Sequence, residues 1–356
     1  SFDDMAYEWN NYAYKIFHCT KDWEKSDLLI NQYLDGFDGN YLNDFAISVG
    51  TFVPYTHYTL RVPNVNARPR ISGNYILEVY QNDDPTDLII RRRFIVYEDL
   101  VLPSVQVLRA TDLTNFSSEQ MVNAKVALAG YPIQDYFQDL DLSILQNRRW
   151  DNALTRLKPT FINDGILEYN FLGEYAFEGG VEFHSFDTKR LNQVGMGVKV
   201  SQLDTCWSVY LEEKKNRSIA VYSFQNDING RRLIQRADVG NPDLAGDYCW
   251  VDFFLESPEL KVPVYVYGQL SNWKLDPEFQ LSYNYNKQAY SGRVLLKQGY
   301  YNYVFAHPRK GGGVSTVLTE GNHWQTKNDY TLIMYNRGMG LRYDRIIGYF
   351  KPSSAL

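Results

Sequence analysis

The sequence is poor in the residues that build disulfide scaffolds, metal centres and membrane spans. Its 356 residues include only 3 cysteines and 5 histidines. There are 36 lysines and arginines and 42 aspartates and glutamates. The net charge of -6 and a pI near 5.5 argue against a nucleic-acid-binding protein, because contacts to phosphates require a basic surface. No apolar run is long enough to cross a bilayer, so we expect no membrane span.

Cys19, Cys206 and Cys249 are too few and too widely spaced for a disulfide framework or a cysteine-based zinc site, which would show close Cys-x-x-Cys spacing. Two arrangements stay open: one disulfide with one free thiol, or three buried thiols. The chain begins at Ser1 without a charged and then apolar signal segment, so we interpret it as a processed or trimmed product.

Sequence patterns for catalysis are also missing. The histidines never recur at the i, i+4 spacing of a metal site, and there is no Gly-x-Ser-x-Gly elbow, phosphate loop or dinucleotide fingerprint. Asp139, Asp141 and Asp151 leave a glycosidase pair open, because the distance between two carboxylates in space decides that reaction. We therefore predict a protein that is not an enzyme, with no catalytic residue, no cofactor and no metal.

Tyrosine, in contrast, is abundant, with 29 residues. Many of them alternate with β-branched residues in short runs, as in residues 75–80, 264–267 and 299–305, and turns rich in Gly, Pro, Asn and Asp separate the runs. This pattern is typical of all-β sandwiches. We predict tandem Ig-like or fibronectin type III-like β-sandwiches.

The length favours two or three domains of about a hundred residues each. The patterns predict an N-terminal Ig-like or fibronectin type III-like sandwich, a middle β-sandwich, a linker or long hairpin, a C-terminal sandwich and a short tail. Their predicted bounds are 1–101, 102–213, 214–246, 247–351 and 352–356. Residues 264–273 and 290–305 of the C-terminal sandwich resemble early-set Ig-like domains.

In the first module, the alternating residues 52–62 resemble the hydrophobic-x-Pro-x-Thr-x-Tyr strand of fibronectin type III domains. Tyr58 is then expected to be a structural tyrosine, with a buried ring and a hydroxyl bonded to backbone. Trp23 is expected to be a core aromatic of an earlier strand. Residues 72–80 and 94–97 predict a closing hairpin, and the arginines at 91–93 are expected to face water on a strand.

Three residues are candidates for contact with a protein partner. Arg149 and Trp150 lie in a polar turn, and tryptophan beside arginine is the composition of an interface hot spot. The alternative is that Trp150 only covers the end of the sandwich. Trp273 matches the first tryptophan position of glycogen-binding early-set modules, which the predicted C-terminal sandwich resembles. The alternative function is therefore a periplasmic or surface glycan-binding protein. If the protein binds no glycan, we expect Trp273 to be a core or edge aromatic.

A wider resemblance runs in order along nearly the whole chain. The residues that carry it lie at 15–23, 26–29, 32–37, 54–58, 72–75, 92–98, 146–153, 227–231, 299–303 and 343–349. Together these stretches resemble the type IX secretion system plug protein family.

The resemblance implies a periplasmic protein associated with the outer membrane. It would dock on the periplasmic side of a large outer-membrane translocon barrel and plug the pore. The implied partner is that barrel protein, and the function is a contact, without a catalytic or ligand residue to assign.

Overall fold

The computed structural model describes residues 1–82, 84–111, 114–170, 176–238 and 240–351. Strands dominate the described residues, and the helices are single turns: α1 (Ile30–Tyr33), α2 (Pro242–Ala245) and α3 (Val317–Glu320). The predicted all-β class is confirmed. The assignment of three Ig-like modules stays a prediction.

The first region, residues 1–98, forms several small sheets. Its strands are β1 (Phe2–Asp4), β2 (Tyr12–Cys19), β3 (Leu34–Gly36), β4 (Asn40–Tyr41), β5 (Phe45–Ile47), β6 (Thr56–Tyr58), β7 (Ala67–Pro69), β8 (Gly73–Gln81) and β9 (Leu88–Val96). They pair in the orders β4-β2-β8-β9, β1-β6-β5 and β3-β7. The predicted closing hairpin is present as antiparallel β8 and β9. The arginines at 91–93 lie exposed on the edge strand β9, as predicted.

Tyr58 has the buried position that the sequence predicted. Its ring is fully buried, stacked on Phe2 with centroids 5.2 Å apart and edge-on to Tyr12 at 4.8 Å. The hydroxyl donates to the carbonyl of Asn10 and accepts from the N–H of Asn10, both at 2.9 Å. A buried hydroxyl is costly unless it is hydrogen-bonded, and here both functions of the hydroxyl are satisfied by backbone.

The middle of the chain contributes seven strands among its described residues: β10 (Leu102–Arg109), β11 (Glu119–Ala127), β12 (Leu140–Gln146), β13 (Leu154–Leu157), β14 (Phe161–Asn163), β15 (Ile166–Tyr169) and β16 (Ala176–Glu178). One sheet has the order β10-β11-β15-β14, and β16 also pairs with β11. β12 and β13 leave this sheet and join strands from the end of the chain.

The remaining strands are β17 (His184–Asp187), β18 (Val198–Leu203), β19 (Trp207–Leu211), β20 (Lys214–Lys215), β21 (Arg232–Ile234), β22 (Tyr248–Glu256), β23 (Val264–Tyr267), β24 (Gln280–Asn284), β25 (Ala289–Lys297), β26 (Gly299–Pro308), β27 (Val314–Ser315), β28 (Tyr330–Asn336) and β29 (Arg345–Phe350). The largest sheet runs β17-β26-β23-β24-β25-β22-β19-β18. β20 pairs with β22, and β21 and β27 pair with β26.

The central sheet, defined as β13-β12-β28-β29, joins the middle of the chain to its end. β12 and β28 pair antiparallel from Leu140↔Asn336 to Gln146↔Tyr330, and every residue of both strands is buried. Alternate side chains enter different apolar clusters: Ile144 packs in one, and Leu145 in the other. Both faces of this sheet are therefore covered.

The sheets cross the predicted boundaries. β17 and β19 precede residue 213, yet they pair with β26 and β22 of the predicted C-terminal sandwich, and β18 joins the same sheet through β19. Residues 214–246 are not one long hairpin, since β20 and β21 pair with different strands of the largest sheet. Periodicity locates strands but carries no information on which distant strand completes a ladder. The predicted tail, 352–356, lies outside the described residues.

The thiols of Cys19, Cys206 and Cys249 are all free, with Cys19 and Cys249 buried and Cys206 half-buried. Of the two arrangements left open by the sequence, the structure has the one without a disulfide.

His18 lies where the first region meets the loop before β29. Its ring is buried edge-on against Tyr75 and Tyr343, and its Nδ1 lies 2.9 Å from the hydroxyl of Ser26. Burial lowers the pKa of His18 to about 4, although the nearby carboxylate of Asp344 acts in the opposite direction. The imidazole is therefore neutral in the folded protein at neutral pH.

We expect the free energy of unfolding to fall as the pH is lowered from about 6.5 to about 4. In that window the unfolded chain binds a proton at His18 that the folded chain does not, so stability is lost by up to ~1.4 kcal/mol per pH unit. Urea unfolding across this range, compared with His18→Gln, measures the effect. Burial also lowers the pKa of His184, so the variant should flatten the slope without abolishing it. An unchanged slope in the variant would contradict the assignment to His18.

We expect an isolated fragment of residues 102–213 not to fold cooperatively. The fragment lacks β28 and β29, which leaves a ladder edge of β12 unpaired and its apolar side chains in water. Far-UV circular dichroism during thermal unfolding measures this, with the full chain as control. A cooperative transition in the fragment would instead support the predicted boundaries.

Candidate partner interface

The turn after β12 positions Arg149 and Trp150. Asn147 and Arg148 have positive φ values of 54° and 59°, so the chain reverses sharply at the end of the strand. The side-chain amide of Asn147 donates to the side-chain oxygen of Asn328 at 2.7 Å, which fixes the turn against the segment before β28.

Arg149 points inward, towards residues of the largest sheet. Its guanidinium donates to Asp151 at 2.7 and 3.1 Å and lies 5.1 Å from the ring centre of Trp273 and 5.2 Å from that of Tyr267. The Tyr267 hydroxyl also donates to Asp151, at 2.8 Å. Burial would raise the pKa of Asp151, but Arg149 and the Tyr267 hydrogen bond hold it below its ordinary value.

Trp150 packs in the opposite direction, against the first region. Its ring meets Trp23 edge-on, with centroids 4.8 Å apart, and the guanidinium of Arg93 lies 4.7 Å from the Trp23 ring. Trp23 is half-buried in the turn after β2, so its predicted place in an early strand is wrong. Its φ of 69° turns the chain there, and its ring packs between regions rather than inside a sandwich.

The structure thus brings two of the three predicted contact residues together, Arg149 and Trp273, and turns Trp150 the other way. All three are partly buried at junctions between regions. Their role in binding a partner stays a prediction, and their contacts within the chain are those of residues that hold regions together.

Trp273 also bears on the glycan alternative. The Arg149 guanidinium lies over one side of its indole, and Phe183 and Tyr267 pack against it edge-on. A Cβ on Gly230, whose φ is +73°, would lie 2.3 Å from the indole, so a glycine is required there. A sugar would have to compete with Arg149 for that ring.

A cleft of about 340 Å³ opens beside Arg149. Four of its charged lining groups form two ion pairs, Arg149 with Asp151 and Arg309 with Glu178 at 2.6 Å. Asp141, another of the candidate glycosidase carboxylates, is ion-paired with Lys21 and Lys158. Within the described residues, no group of three or more His, Cys, Asp or Glu side chains is arranged to hold a metal ion.

Sequence reasoning missed an exposed apolar face on the first region. Phe45, Ile47 and Val49 alternate along β5 and its continuation and are 41 %, 56 % and 64 % exposed. We call these three residues the β5 face. β5 lies at the edge of its sheet, and the exposed acid Asp44 borders it. The alternation of Phe45, Ile47 and Val49 was visible in the sequence, but only the sheet order shows that water, not a core, covers them.

Comparison with known proteins agrees with the resemblance in the sequence. Residues 1–98 match the family model described as "Type 9 secretion system plug protein 1st domain". The chain belongs to the type 9 secretion system plug protein family. The expected family is therefore confirmed, and this plug-family chain has a role related to type IX secretion and a periplasmic or envelope-associated location.

A solved structure extends the likeness to the whole chain. A crystal structure of a hypothetical protein from Parabacteroides merdae is 34 % identical, with a TM-score of 0.93, over 99 % of this chain and 89 % of that one. None of the curated proteins compared with this plug-family chain matches it. In the parts of the chain that the structure describes, every helix is too short or too polar to cross a membrane.

We expect Trp23→Ala and Trp150→Ala each to lower the free energy of unfolding by about 2 kcal/mol, less than the ~3–5 kcal/mol of fully buried aromatics. Because the rings touch, the double variant should lose less free energy of unfolding than the two single variants lose together. The difference, the coupling energy, should be about 1 kcal/mol. Urea unfolding measures all three. Trp9→Ala is the matched control, since Trp9 is 66 % exposed and its loss should change stability by less than about 0.5 kcal/mol. Strict additivity would show that the two rings do not stabilise each other.

Proposed function

We propose that the chain is a non-enzymatic component of the type IX protein secretion machinery. In this proposal it lies in the periplasm, associated with the outer membrane. It docks on the periplasmic side of the translocon barrel and plugs its pore. The match of residues 1–98 to the plug family carries the proposal.

The ties between regions support it, because a plug must resist deformation. Lys297 of β25 donates to Asp3 of β1 at 2.6 Å, with both side chains buried. The Tyr335 hydroxyl donates to Asn74 at 2.9 Å, and Arg345 pairs with Glu98. Removing one partner of a buried ion pair leaves an uncompensated charge, so such contacts resist separation of the regions. Arg149, Trp150 and Trp273 then serve docking indirectly, by holding the body in shape.

The β5 face is the proposed docking surface on the first region. Phe45 and Ile47 lie on the edge strand β5, and Val49 lies on its continuation. Covering exposed apolar side chains with a partner is favourable at about 25 cal/mol per Å². Aromatic and aliphatic anchors surrounded by polar groups are typical of protein interfaces.

We expect the tagged protein to recover one very large outer-membrane barrel protein, in near-equal amount, from detergent-solubilised outer membranes of its host. Phe45→Asp/Ile47→Asp should reduce the recovered barrel at least tenfold, because charges would be buried against the partner. Quantitative mass spectrometry of the eluate measures both.

The control is Val194→Asp/Met196→Asp, which places the same two charges at exposed apolar positions elsewhere (64 % and 53 % exposed) and should retain the barrel. As a second readout, dye efflux from liposomes holding the purified barrel should fall when the protein is added. Recovery of no barrel by the wild type, or unchanged efflux, would refute the proposal.

A further inference from the structure

A segment of the chain between β20 and β21 carries an unpaired backbone. Residues 221–228 run without a turn or a bend. Among the described residues, none forms a hydrogen bond with a backbone N–H or C=O of residues 221–226. Backbone groups are almost always paired inside folded proteins, so this segment meets water or a partner.

The same segment exposes apolar side chains. Ile219 is 97 % exposed, Val221 90 % and Phe224 50 %. Residues 218–226 include no charged side chain. Ile219 lies in the turn just before the unpaired backbone, and Val221 and Phe224 lie within it. Unpaired backbone beside exposed apolar side chains is the kind of surface that an added β-strand covers.

Polar contacts at both ends hold the segment in place. Before it, Arg217 pairs with the buried carboxylate of Glu320 and donates to the carbonyl of Glu182 at 2.6 Å. In its middle, the Tyr222 hydroxyl donates to the carboxylate of Glu182 at 2.5 Å. After it, the carboxylate of Asp227 accepts from the backbone of Phe183. A segment fixed in this way loses little conformational entropy when a strand pairs with it.

The charge beside the segment narrows the choice of occupant. The Lys327 ammonium lies 4.6 Å from the centre of the Phe224 ring, and no carboxylate of a described residue lies within ion-pair distance of it. A partner strand would bind most tightly if it placed apolar residues against Ile219 and Val221 and a carboxylate beside Lys327.

We propose that residues 221–226 bind an extended strand of the translocon barrel protein, which pairs with their backbone and places an acidic side chain near Lys327. This contact is additional to the β5 face. It rests on the proposed function, because the secretion partner supplies the strand.

Ser223→Pro tests the pairing directly, with Ser223→Ala as the matched control. Proline removes the N–H at 223, which bonds to no described residue of the free protein, so both variants should keep the wild-type melting temperature. In recovery from solubilised outer membranes, Ser223→Pro should lose the barrel at least tenfold, and Ser223→Ala should retain it. Lys327→Glu should weaken recovery more at low salt than at high salt.

Three results separate the two proposals. If the wild type and Ser223→Ala recover the barrel and Ser223→Pro does not, strand addition is supported. Equal recovery by Ser223→Pro overturns strand addition and leaves the plug function standing. If the wild type recovers no barrel, both proposals fail.

Hydrogen exchange of the wild type gives an independent readout. Amides 221–226 should exchange fast in the free protein and become protected in the complex with the barrel. Unchanged exchange on binding would overturn strand addition.

Discussion

The pairing of β12 with β28 is the constraint on which the rest of the structure depends. It joins residues almost two hundred positions apart and buries every side chain of both strands. One face of this sheet closes the core of the middle region, and the other packs towards Ile95 of the first region and Trp150. To pair strands that lie far apart in the sequence, the chain must first close a long loop, and this costs conformational entropy that only the finished contacts offset. The middle region therefore cannot complete its core until β28, near the end of the chain, has paired with β12.

That constraint explains why the hot-spot composition of the 149–150 turn is used inside the molecule. The turn directly follows β12, at the point where the central sheet meets the other regions. There, Arg149 covers Trp273 and Tyr267 while Trp150 meets Trp23. Arginine and aromatic side chains bury large areas with specific geometry, which suits a junction between regions as well as one between proteins. Composition alone does not distinguish the two uses.

The sequence was informative wherever local chemistry decides the structure. Alternation located β8, β9 and β26, and the Pro-x-Thr-x-Tyr pattern indicated the buried, backbone-bonded Tyr58. The sequence did not predict features that depend on residues far apart in the chain. Nothing in β17 and β19 indicates which sheet they join, and the residues around Trp23 have the pattern of the end of a strand although they form a turn. The β5 face shows the same limit, because alternation predicts a strand and not what covers it.

The molecule therefore combines regions tied by buried contacts with surfaces that its own fold leaves unpaired. Asp3 and Lys297 join the first and last parts of the chain. The anchors around Glu182 and Glu320 fix a segment whose backbone, at residues 221–226, bonds to no residue that the structure describes. A protein that only needed to be stable would gain by pairing that backbone or by making its side chains polar, since exposed edges and apolar patches invite aggregation. Ordered but unsatisfied surfaces on a stiff body are understandable if a larger protein covers them, and the proposed plugging of a pore would require that combination of stiffness and contact.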